Sequence, residues 1–89
     1  MTLPMDECVA CGRVVFPARA LCPACGGGEW KPVEAAQARV EQVTSRDGVV
    51  IASVRSVLGP VVVARCAGEA RPGDVVLLDR DGSVPTARL

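Results

Sequence analysis

Two matched cysteine knuckles constrain this chain most: Cys8-Val9-Ala10-Cys11-Gly12 and Cys22-Pro23-Ala24-Cys25-Gly26. A tetrahedral metal takes four thiolate or imidazole donors, and two C-x-x-C pairs on a short hairpin bring four sulfurs to one point. The chain has no histidine, so Cys8, Cys11, Cys22 and Cys25 form the one complete donor set it offers. The glycine after each second cysteine suits a tight turn with positive φ, which lets backbone N–H groups approach the sulfurs. With ten residues between the knuckles, Gly12 to Leu21, the pattern reads as a zinc ribbon holding a structural Zn²⁺. Iron is the alternative ion, because four thiolates also hold a single iron. A pair of disulfides, or a redox C-x-x-C, is the competing reading; a redox motif needs only one pair, at a helix start in a βαβ setting.

At 89 residues the chain has room for one small domain, or for a metal module joined to a small sheet. Such a chain buries little core, and a structural metal is a common remedy at that size. Residues 1–7 carry Pro4, Asp6 and Glu7 and do not read as a signal peptide, and no apolar run is long enough to span a bilayer. Reduced, metal-bound cysteines then point to the cytoplasm. Ten basic residues balance ten acidic ones, and one Phe, one Trp and no Tyr are present. Nucleic-acid binders show a basic face with interleaved aromatics, so this is a poor footprint for DNA or RNA.

Residues 1–32 are read as the ribbon. Between the knuckles Arg13–Arg19 is an apolar strand turned by Pro17, and Trp30, Lys31 and Pro32 close the module. Phe16 and Trp30 are read as the apolar cover of a metal site too small to have its own core. From Val33 to Leu89 valine-rich segments alternate with turn signals, which reads as all-β. The expected strands are Glu34–Thr44, Gly48–Val57, Val61–Cys66, Val75–Asp79 and Ser83–Leu89. Asp47-Gly48 and Asp81-Gly82 are read as hairpin turns, and Arg71-Pro72-Gly73-Asp74 as a further turn. The first segment, EAAQARVE, is helix-friendly by propensity, but no capping residue precedes it and a sheet must be closed. The fold class is therefore mostly β: a four-cysteine zinc ribbon followed by a small five-stranded OB-fold barrel, whose closure hides the strand edges.

Few groups for catalysis are on offer. Without His or Tyr, acid–base chemistry falls to carboxylates, one Lys and a thiol. Asp47, Asp74, Asp79 and Asp81 sit in or beside turns, where solvation is the default. Cys66 ends an apolar strand with no base to activate it, and reads as a buried inert thiol. Four thiolates leave a zinc no open position, so the metal is read as structural. The run Gly26-Gly27-Gly28 lacks the Lys-Ser/Thr ending of a phosphate loop and reads as a mobile turn past the second knuckle. Arg13 and Arg19 flank Phe16-Pro17, either as solvated surface or as contacts to an anionic ligand or acidic partner.

The motif order resembles a known family. C-x-x-C-G-R-x-x-F-P-x-R-x-x-C-P-x-C-G, then Trp30, Gly59-Pro60, Pro72-Gly73-Asp74-Val75 and Asp81-Gly82 with Pro85, is similar to the rubredoxin-like zinc-ribbon plus OB-fold accessory proteins of acyl-CoA metabolism. The resemblance implies a subunit that is not an enzyme on its own. Its implied partners are thiolase-like, ketoacyl-synthase-like, lipid-transfer-type aldolase or hydratase proteins, with CoA thioesters in reach of the assembly. It also implies that Arg13, Phe16, Pro17 and Arg19, with Trp30, touch the partner or CoA. Family members commonly carry a helical stretch before the ribbon and a long loop between the first two barrel strands, whereas here Ser45–Gly48 is a minimal turn. Two other readings stand beside this one: a ribbon/OB nucleic-acid module and a rubredoxin-like electron carrier.

Overall fold

In the computed structural model, which describes residues 2–89, the chain forms strands only, with no helix among the described residues. Three make a first sheet in the order β2-β1-β3: β1 (Leu3–Cys8), β2 (Val14–Val15) and β3 (Trp30–Ala35). The Arg13–Arg19 strand expected from sequence shrinks to Val14–Val15, because the chain bends at Phe16-Pro17. β1 was not expected. Its Pro4 argues against a strand, but β2 pairs only with Asp6 and Glu7, so at Pro4 the strand has a neighbour on one side alone.

The other five strands close into a barrel. They are β4 (Gln37–Arg46), β5 (Val49–Ser56), β6 (Val61–Ala67), β7 (Val75–Asp81) and β8 (Val84–Arg88), in the order β4-β5-β6-β8-β7. β6 and β8 run parallel, and every other pairing is antiparallel. That order is OB-like: a three-stranded meander whose first and last strands are joined by a returning pair.

Local chemistry sets the registers. Asp47 (φ 53°) and Gly48 (φ 79°) are both left-handed, as a two-residue type I′ turn requires, and the β4–β5 ladder starts at Arg46 and Val49. The β7–β8 turn is Gly82-Ser83 rather than the expected Asp81-Gly82, because Asp81 still pairs with Val84 in the ladder. Simple alternation does not hold along β4. Ala38 and Val40 point inward, but the register shifts between Val40 and Gln42, and Val43 rather than Gln42 then packs against the core. One extra residue, Glu41, makes a β-bulge that exchanges the two faces.

β3 runs through the expected 32/33 junction to Ala35, and the change of sheet comes at Ala36. There the Ala36 carbonyl accepts a 2.8 Å hydrogen bond from the Leu78 N–H, which ties the junction to β7. Leu3, Met5 and Ala35 of the first sheet belong to the same buried cluster as Val40, Val54, Val62, Val76 and Leu78 of the barrel. Buried Ser56 also reaches the first sheet, its Oγ lying 3.8 Å from Met5 Sδ.

One shared core implies one cooperative transition. Leu78 is 1 % exposed at the barrel centre, so Leu78→Ala is expected to cost about 2–5 kcal/mol. Urea unfolding followed by Trp30 fluorescence, which reports the first sheet, and by far-UV circular dichroism should give coincident midpoints in both proteins.

Candidate metal centre

The two knuckles are built alike. The Cys8 carbonyl accepts from the Gly12 N–H at 2.8 Å, and the Cys22 carbonyl accepts from the Gly26 N–H at 2.8 Å. The Cys8 N–H donates to Arg13 O at 2.8 Å and the Cys22 N–H to Gly27 O at 2.7 Å, so each loop closes at both ends. These turns need the left-handed backbone of Gly12 (φ 81°) and Gly26 (φ 78°), as the sequence reading anticipated. β1 and β2 carry the first knuckle, and β3 begins just after the second.

All four Sγ atoms lie within 4.8 Å of one another, with Cys8–Cys25 and Cys11–Cys22 both at 3.6 Å. A tetrahedron with metal–sulfur bonds of about 2.3 Å has sulfurs about 3.8 Å apart. The donor set fits a four-thiolate metal site. A disulfide needs sulfurs at about 2.05 Å, and every cysteine is a free thiol here, which removes the paired-disulfide alternative. Zinc and iron both satisfy this geometry.

Hydrogen bonding divides the sulfurs electrostatically. The Cys25 N–H, with a second donor at Ala24, draws the Cys22 thiol down to about 6. At Cys25 the Gly27 N–H, 3.4 Å from Sγ, also lowers the pKa, but the crowding sulfurs of Cys8 and Cys11 outweigh it and push the thiol up to about 12. Cys11 behaves similarly: the Arg13 N–H lowers it, and burial with the neighbouring sulfurs raises it further. Four thiolates cannot crowd together without a cation, so the empty cluster keeps its protons on Cys11 and Cys25 and sheds them as metal binds.

Gly27 is part of this centre, which corrects the reading of Gly26–Gly28 as a mobile turn. A β-carbon at Gly27 would sit 3.4 Å from both Cys25 Sγ and Cys8 Sγ, so the backbone is laid directly over the sulfurs. The sequence signal for it was the run of three glycines, whose use became visible only once the knuckle had closed. The fifth cysteine, Cys66, lies in the barrel core away from the cluster, and burial pushes its thiol up.

The remaining candidates divide. Arg13, Phe16 and Arg19 line one cleft of about 170 Å³ together with Pro23, Pro60 and Val61, where ribbon meets barrel. Phe16 also packs against the core rather than serving only as cover for the metal. Pro17 is exposed, joined to Phe16 by a cis peptide, and Trp30 lies outside the cleft with its Nε1 3.5 Å from the Ala20 carbonyl. Pro60 and Val61 were not singled out as site residues, because the β5–β6 turn reaches the ribbon only in three dimensions.

Residues 3–31 match the family model of the ChsH2 rubredoxin-like zinc ribbon domain. The match spans the ribbon and the sulfur cluster alone. A solved structure described as the Ltp2–ChsH2 (DUF35) aldolase contains a chain similar to the whole protein, with a TM-score of 0.80 and 26 % identity over 98 % of this chain and 84 % of that one. No curated protein sequence matches the chain. The likeness takes in ribbon and barrel together, so the ribbon–barrel architecture read from the motif order is shared with that chain. No helix of the described residues is long and apolar enough to cross a membrane.

Elemental analysis should find one metal per chain in wild type and in Cys66→Ala, and little or none in Cys22→Ser. Protons compete with metal for the sulfurs, so affinity is greatest at alkaline pH and falls as pH drops. Acidification from pH 8 to pH 5 should release the metal, with any stability it confers lost in that direction. Gly27→Ala should keep the ion. The branched side chain of Gly27→Val, pressed against two sulfurs, should weaken binding on the order of tenfold or more in a chelator competition.

Proposed function

We propose that this protein is a non-catalytic accessory subunit of an acyl-CoA-processing complex, with a lipid-transfer-type aldolase as partner. The observation that carries the reading is the similarity, over nearly the full chain, to a chain of the Ltp2–ChsH2 aldolase. The chemistry of the chain supports it. Four thiolates close a zinc coordination sphere and leave no position for substrate, and Cys66 is a buried thiol raised by its surroundings. The ion in this reading is structural zinc, held in a reducing, cytoplasmic compartment. Thiolase, ketoacyl-synthase and hydratase partners belong to the same reading, since they too act on CoA thioesters.

In this role the chain supplies shape: a metal-braced ribbon fixed to a barrel, against which a partner's active site is supported. Arg13, Phe16 and Arg19 line the ribbon–barrel cleft, and in this reading they touch a partner or the anionic end of a CoA thioester.

The test is co-expression of this chain with the aldolase-type protein from the same cells. Expected are a stoichiometric complex on size exclusion and a partner whose retro-aldol activity or solubility falls at least several-fold without this chain. A partner equally soluble and active alone would overturn the proposal. A colourless preparation fits zinc, whereas a red oxidised form would indicate iron and turn attention to electron transfer.

A further inference from the structure

The outward faces of β6 and β7 both carry exposed apolar residues, and that of β6 runs on into the ribbon cleft. An antiparallel sheet with one solvated side places polar residues outward. β6 instead points Val61 and Val63 outward, 41 % and 64 % exposed, while Val62 and Ala64 fill the core. Across the ladder Ser53 faces Val63, and half-buried Ile51 follows one step along the same side. Pro60 and Leu58 continue the apolar strip towards the ribbon, where Val61 also lines the cleft with Phe16, Arg13 and Arg19.

Two further features describe what fits there. The turns flanking the face, Asp47-Gly48 and Gly82-Ser83, have two residues each, so neither overhangs it. An apolar strip with a charged rim matches the anatomy of a protein interface and offers no aromatic platform for bases. On the rim, Arg55 is paired with Glu41 at 2.9 Å and Arg65 with Asp81 at 3.2 Å, whereas Arg13 and Arg19 have no carboxylate partner among the described residues. The face therefore carries uncompensated positive charge at its ribbon end.

We infer that this face, from the Arg13–Phe16–Arg19 cleft to Val63, is the docking surface for the partner subunit, and that the partner presents an apolar patch with carboxylates at its rim. The inference rests on the accessory-subunit reading above and names its surface. Val61 and Val63 supply the desolvated centre; Arg13 and Arg19 supply orientation and salt dependence.

The test uses the full chain and the purified aldolase-type partner, by calorimetry at low and moderate salt, with metal content and Trp30 fluorescence confirming each variant's fold. Val63→Asp should weaken binding on the order of tenfold or more. Arg13→Glu with Arg19→Glu should weaken it severalfold and flatten the salt dependence. Val75→Asp, on β7 and outside the cleft, should bind as wild type. Wild-type binding that Val63→Asp leaves unchanged would overturn the docking surface while the accessory reading stands. No binding by wild type would remove the accessory reading and this surface with it. A chain that sediments alone as a dimer, and as a monomer when Val63→Asp, would assign the face to a second copy. Single-stranded RNA or DNA binding abolished by the arginine substitutions would assign it to nucleic acid; either result overturns the inference.

Discussion

The physical constraint on which the structure depends is carried by one strand. β1 ends at Cys8 in the metal cluster, and its other end places Leu3 and Met5 in the barrel core. The sulfur cluster and the hydrophobic core are therefore held by the same six residues. A ribbon of this size has no core of its own, and a small valine barrel leaves its end in need of cover. Each supplies what the other lacks: the metal orders the knuckles, and β1 fills the barrel end with apolar side chains.

This sharing explains the economy of the metal site. The knuckles need little beyond their own backbone bonds, because β2 and β3 flank β1 and hold both loops against the barrel. Gly27 is laid over two sulfurs, and crowding with unequal hydrogen bonding leaves the empty cluster electrostatically unfavourable unless protonated or filled. A site of this kind stabilises shape and does not expose reactivity.

Much of this was legible in the chain because the signals are local. Cysteine spacing and the following glycines describe the knuckles within a few residues, and Asp47-Gly48 carries its own turn geometry. Valine-rich runs bounded by Gly and Pro mark β6 and β7 as strands. The signals failed where a single residue shifts a phase or a distant element supplies the partner. Glu41 inserts a bulge that moves Val43 to the core side, and nothing in the local sequence separates it from ordinary alternation. β1, with Pro4 and two acidic residues, makes sense as a strand only once β3 and the barrel end stand beside it.

The sequence by itself determined the four-thiolate donor set, the strand count of the barrel and its Asp47-Gly48 turn. Each follows from chemistry confined to a few neighbouring residues: sulfur donors, left-handed glycines and valine-rich runs between turn residues. Only the tertiary structure decided that ribbon and barrel share one core, that Gly27 packs on the sulfurs, and that Arg13, Phe16 and Arg19 meet Pro60 and Val61. It also decided which valines are outside. Val61, Val62 and Val63 are identical letters, and closure of the barrel buries the middle one and exposes the other two.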